Sequence, residues 1–213
     1  VISSRIAARG LAVTALMLAA AQVPLPQADA ANAPMDADSS NDALDPDRSP
    51  GGLGQLTGLV IQRLRVSDDV AASKFGTGSP IDDPAREQQV LEQVRSRAGE
   101  LGLDPVSATA FFQDQITASK LVQEGLFARW SAHPGEAPTT RPDLGRIRTR
   151  LDQLTADLLR ELKATVGVRD EPTACAVQLA VAAGSGTVLE RLDALHRQAL
   201  RRAVHSVCAA PMT

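Results

Sequence analysis

The chain has 213 residues, 44% hydrophobic and 22% charged, with a formal net charge of −3. That balance excludes a disordered chain, and the acidic total excludes a broad cationic field for nucleic acid. With four Phe, one Trp and no Tyr, the apolar share rests chiefly on Ala and Leu, which favours helix over strand.

The first 30 residues follow the order of an export signal. Arg5 and Arg9 precede an apolar run from Leu11 to Ala21, Pro24 and Pro26 break it, and Ala28-Asp29-Ala30 supplies an A-x-A cleavage site. The run is about half the ~20 residues that span a bilayer, so cleavage is expected rather than a permanent anchor. Residues 31–52 are rich in Asp, Ser, Asn, Pro and Gly, too polar to order themselves, and predict a flexible leader. One folded domain is expected over 53–208, with 209–213 as a tail.

Helix signals then recur. Leu53 to about Phe75 is a long periodic segment, closed by Gly76-Thr77-Gly78-Ser79-Pro80. Asp83-Pro84 gives an N-cap followed by proline at the first helical position, and Asp104-Pro105 repeats it. The helix begun at Asp83 carries Val90, Leu91, Val94 and Ala98 and stops at Gly102; the next runs to about Trp130. His133 to Thr140 reads as a loop. Pro142 opens a fourth helix with Leu144, Ile147, Leu151, Leu154, Leu158 and Leu162 at helical spacing, ending before Gly167. Pro172 starts a fifth through Val181, and Gly184-Ser185-Gly186 separates it from a last helix, Thr187 to about Val207. No segment alternates with period two. The expected fold class is all-α, a bundle of about six helices.

Cys175 and Cys208 are the only cysteines. In an exported chain such a pair reads as a disulfide, here closing a C-terminal helical hairpin. A loop of about 34 residues would stabilise by roughly 3–4 kcal/mol on the chain-entropy argument. The arginines of the last helix (Arg191, Arg197, Arg201, Arg202) read as a solvated face. His133, His196 and His205 lie far apart, and no His/Cys group has zinc spacing.

What remains is charge set within apolar helices. Arg63 and Lys74 are about three turns apart on one face. Asp83, Arg86 and Glu87 share a face at the start of the second helix, Ser119 and Gln123 are an i, i+4 pair on the third, and Arg148 lies in the apolar stripe of the fourth. Each alone is most simply a solvated side chain.

Together they form a pattern. Arg63-Leu64-Arg65-Val66 with Lys74 is followed by Pro80-Ile81-Asp82-Asp83-Pro84-Ala85-Arg86-Glu87-Gln88-Gln89. Then come Leu103-Asp104-Pro105, Phe112-Gln113-Asp114-Gln115-Ile116, Ser119 with Gln123, Phe127 with Trp130, Pro142-Asp143-Leu144, Arg148 and the two cysteines. From Leu53 to Cys208 the chain resembles the all-helical AroQ class of chorismate mutases, specifically its secreted gamma subclass.

The resemblance implies conversion of chorismate to prephenate, with no cofactor and no metal. It implies a periplasmic or secreted protein with no nucleic-acid partner, no membrane association after signal cleavage, and a homodimeric state. It also assigns roles. Arg63 and Arg148 would clamp the substrate carboxylates. Lys74 and Gln123 would meet the ether oxygen, and Ser119 the ring carboxylate. Asp83 and Glu87 would take the ring hydroxyl, with Arg86 in support. Val90 stands where some secreted relatives carry Gln; Glu87 or Gln89 would cover that contact, Glu87 better because it shares a face with Asp83. The alternative is an exported, non-enzymatic helical protein whose inner charges are structural pairs. Arg63 and Arg148 discriminate: structural arginines find carboxylates, whereas a clamp converges on a pocket of roughly 300 Å3 or more.

Overall fold

The structure, a computed structural model, describes residues 52–208. The predicted signal segment, the leader up to its last residue, and the tail lie outside the described residues.

Among the described residues there are seven α-helices and no strand: α1 Leu53–Lys74, α2 Pro84–Glu100, α3 Pro105–Ala132, α4 Leu144–Ala164, α5 Val166–Arg169, α6 Pro172–Leu189 and α7 Ala194–Ala203, with a short 3-10 turn at Pro134–Glu136. Four starts share one chemistry, an aspartate accepting from a backbone N–H of the first turn. Asp83 takes Arg86 N at 3.1 Å, Asp104 takes Ser107 N at 2.8 Å, Asp143 takes Arg146 N at 2.8 Å and Asp193 takes His196 N at 2.9 Å. Each such cap stabilises by about 0.5–2 kcal/mol. α4 therefore begins after Asp143 rather than at Pro142. Gly102, at φ +66°, ends α2 in the left-handed conformation that glycine adopts without steric cost.

α1 is the central element, packed against α3, α4, α6 and α7. Leu53, Leu56, Val60 and Leu64 form its buried stripe, met by Phe111 and Phe112 of α3 and by Leu158, Leu159 and Leu162 of α4. Phe75 lies edge-on to Phe127 and Trp130, at centroid distances of 5.3 and 5.2 Å, which fastens the end of α1 to α3. A second apolar cluster of Val66, Ile147 and Leu154 seals α1 to α4. That seal sets the rotation of α4 about its axis, and so the direction of Arg148.

The C-terminal part differs from the sequence expectation. Gly184-Ser185-Gly186 does not break the chain: α6 runs through it to Leu189. A Cβ on Gly186 would lie 2.6 Å from Ile61 Cδ1 of α1, so glycine is there for close helix approach, and packing outweighs its weak helix propensity. The break falls at Arg191 (φ 48°), after which Asp193 caps α7. Thr187 to Val207 is therefore not one helix. α4 ends at Ala164, before Gly167 as expected, and Gly167 lies in the short α5 that follows.

Cys175 of α6 is bonded to Cys208 beyond α7, with Cα atoms 5.7 Å apart. Arg202 also departs from the solvated-face reading. Its Nη2 is 3.1 Å from buried Asp114, which accepts from Ser206 N at 3.0 Å as well, while Gln115 Nε2 donates to Ala203 O at 2.7 Å. Two polar residues of α3 thus hold the end of α7.

His196, 6% exposed, links α7 to α1: Nε2 is 2.9 Å from Asp68 and Nδ1 is 2.7 Å from Asp193. The hydrogen bond to Asp68 raises its pKa above the ordinary 6.5 against the opposing effect of burial, with Asp193 adding to the rise. A raised folded pKa stabilises fully below the unfolded value, and the contribution is lost as pH climbs through the folded one. Thermal melts from about pH 5 to 9 are expected to show this loss, and His196→Gln to remove that part of the slope; an unchanged slope contradicts the assignment.

The glycines give a paired prediction. Gly186→Ala is expected to cost about 1–2 kcal/mol through the clash with buried Ile61. Gly184→Ala, whose Cβ meets nothing within 4 Å, is expected to stabilise by about 0.5–1 kcal/mol. Urea unfolding measures both.

Candidate active site

Four segments surround one cavity of about 190 Å3. α1 contributes Arg63 and Lys74; the turn and first coils of α2 contribute Asp83, Arg86, Glu87 and Val90; α3 contributes Ser119 and Gln123; α4 contributes Arg148. All nine residues singled out in the sequence line it, from a single chain. Its walls hold six cations, Arg97 and Lys120 being the others, against the three carboxylates of Asp83, Glu87 and Asp152. A cavity positive by three within a chain of net charge −3 selects a small anion locally.

Arg63 is 8% exposed. Its Nη1 donates to Thr155 Oγ1 at 3.1 Å and to Leu151 O at 3.4 Å, and its Cζ lies 5.7 Å from the centre of the Phe112 ring. Among the described residues no carboxylate comes within ion-pair distance of it. Burial lowers its pKa to about 10, against a partial opposing effect from Asp152, so it stays cationic at neutral pH. Lys74 Nζ donates to Pro80 O at 2.9 Å and Ile81 O at 3.1 Å. Burial lowers its pKa, offset in part by Asp83, Asp82 and Glu87. Gln123 Nε2 donates to Ser119 O and Ser119 Oγ, both at 3.2 Å, while its Oε1 is buried without a partner among the described residues. Arg148 is exposed at the mouth.

This geometry has counterparts. Residues 54–124 match the chorismate mutase type II family. The chain is 37% identical over 162 residues to the secreted chorismate mutase of Mycolicibacterium smegmatis, covering 76% of this chain and 88% of that protein. It is 33% identical over 158 residues to the secreted chorismate mutase of Mycobacterium tuberculosis, covering 74% and 79%. The chain belongs to the chorismate mutase family. The fold agrees: the crystal structure of the chorismate mutase from Burkholderia phymatum superposes with a TM-score of 0.70 at 38% identity, over 74% of this chain and 96% of that one.

Relative to the sequence reading of this chorismate mutase, the cavity is smaller and one further polar residue of α2, Gln93, lines it, while Glu87 is favoured over Gln89 as expected. The cavity volume is below the expected 300 Å3, because charged side chains reach across it: Arg86 Nη2 is 3.9 Å from Asp152, and Lys120 Nζ is 2.8 Å from Glu87. Gln89 turns to Arg86, accepting from its Nη1 at 2.7 Å. Glu87 lines the cavity and Gln89 does not; Gln93, one turn beyond Val90, does.

Several lining or supporting residues carried no usable sequence signal. Thr155 anchors Arg63, yet in sequence it is only a polar gap in the α4 stripe. Ser67 Oγ donates to Ser119 Oγ at 2.9 Å from a buried position on α1. Lys120 and Asp152 resemble surface charges until α2 and α4 are placed beside them. Gln93, i+3 from Val90, could have been found by following the α2 face one turn further.

Proposed function

We propose that this cavity binds chorismate and rearranges it to prephenate by holding one compact conformer among fixed charges. The observation that carries the reading is Arg63: a buried guanidinium, supported by neutral dipoles, in a cavity that also holds Lys74, Arg86 and Arg148. A structural arginine at that burial would have its own carboxylate. The non-enzymatic alternative is disfavoured by that missing partner and by the family to which the chain belongs.

The chemistry is internal to the substrate. One C–O bond breaks as one C–C bond forms, and the electrons and all atoms stay in the molecule, so no group of the protein need take a proton. Acceleration then comes from orientation and from dipoles aimed at charge that grows in the transition state. In the proposed roles Arg63 and Arg148 grip the two carboxylates, where the guanidinium fork matches carboxylate geometry. Lys74 and one N–H of Gln123 face the ether oxygen as negative charge develops on it. Ser119, held by Ser67, receives the ring carboxylate. Asp83 and Glu87 accept from the ring hydroxyl, with Arg86 beside them. Val90 and Ile116 supply apolar contact with the carbon frame.

Export belongs to the same reading, supported by the N-terminal signal pattern, the Cys175–Cys208 bond and relatives named as secreted. The homodimer implied by the resemblance is carried as part of this proposal, on that resemblance alone.

Two experiments test it, both following loss of chorismate absorbance. Arg148→Ala is expected to lower kcat/KM about 100-fold or more. Arg148 is exposed, so the helical circular-dichroism signal and melting temperature are expected to stay unchanged; retained turnover would remove Arg148 from the clamp. Gln123 donates whatever the pH, so wild-type kcat/KM is expected to be nearly flat from about pH 5 upward, declining only where Lys74, its pKa lowered by burial, loses its proton. Gln123→Glu is expected to add a decline as pH rises, because a carboxyl group donates only when protonated. If both proteins give the same profile, Gln123 does not donate to the ether oxygen.

A further inference from the structure

Lys120 sits beside Ser119 on α3, one residue off the face that carries Ser119 and Gln123. Its Nζ is 2.8 Å from Glu87 Oε1 and 2.7 Å from Asp82 Oδ1. The two partners differ in setting: Asp82 is 67% exposed, Glu87 only 21%. The Asp82 contact lies at the rim, where water and salt screen it. The Glu87 contact lies inside a cavity suited to a doubly charged anion, and there an uncompensated carboxylate repels the ligand.

Lys120 also selects which oxygen of Glu87 is free. Its contact and the 3.4 Å hydrogen bond from Asp83 N both fall on Oε1, leaving Oε2 for a ligand hydroxyl. Resting on the functional reading above, we propose that Lys120 is a positioning residue: it cancels the charge of Glu87 and aims its second oxygen, so that a carboxylate can serve as hydroxyl acceptor in an anion site. The hydrogen bonds to Asp82 and Glu87 raise the pKa of Lys120, so it keeps its charge across the working range. The charged groups that share the cavity with this pair are Lys74 of α1, Asp83 of the turn, Arg86 and Arg97 of α2 and Arg148 and Asp152 of α4, with Asp82 at the rim.

Lys120→Met keeps most of the stem and removes the charge. It is expected to raise KM for chorismate about tenfold near pH 8 with kcat changed less than about threefold, because Glu87 then opposes ground state and transition state alike. Lys120→Arg is expected to restore the wild-type KM. Glu87→Gln with Lys120→Met is expected to be no worse than Glu87→Gln alone. Circular dichroism of each variant confirms the fold. An unchanged KM in K120M, failure of Lys120→Arg to retain the wild-type KM, or additive losses in the double variant would each overturn the inference while wild-type turnover stands. Absence of wild-type turnover overturns the functional reading, and this inference with it.

Discussion

The whole arrangement depends on keeping one guanidinium charged where there is little water and no contacting carboxylate. Burying an ion without a counter-ion is unfavourable, and the fold offsets that cost at Arg63 with weaker partners: a threonine hydroxyl, a main-chain carbonyl and the face of Phe112. A carboxylate in contact would have stabilised the empty protein further and filled the place proposed for an anion. Asp152 is near enough to favour the charged form but lies outside ion-pair distance. Around that compromise, α1 is gripped on several sides, by aromatic rings at one end, by the Val66–Ile147–Leu154 seal at α4 and by the tight approach of Gly186.

The cations of the cavity are held in two ways. Arg63 and Lys74 donate to neutral groups, a hydroxyl and main-chain carbonyls. Arg86 and Lys120 instead sit by acids, Arg86 by Asp152 and Lys120 between Asp82 and Glu87. The Arg86–Asp152 pair is exposed and loses little when opened in water, whereas the groups held by neutral dipoles are already arranged to receive an anion of the kind proposed.

Much of this was readable from residues in order, and the limit is physical. Capping and periodicity are local, so the Asp-Pro starts and the leucine stripe of α4 located α2, α3 and α4 closely. The Arg63–Lys74 spacing needed only helical geometry, and the recognised pattern brought all nine candidates to one wall. Gly184-Ser185-Gly186 misled because a glycine that breaks an exposed helix and one that admits Ile61 look alike until α1 is beside it. Thr155, Ser67 and Lys120 were invisible for a related reason: what each touches depends on how one helix is rotated against another, which no single segment encodes. His196 reads as an isolated histidine until Asp68, 128 positions away in sequence, folds against it.

Arg63 and Arg148, which line the cavity together, lie on neighbouring helices of the same chain. The two proposed clamps then arrive together with each copy of the chain. A site whose two clamps lie on different subunits loses one of them when the subunits separate; here both stay on one chain.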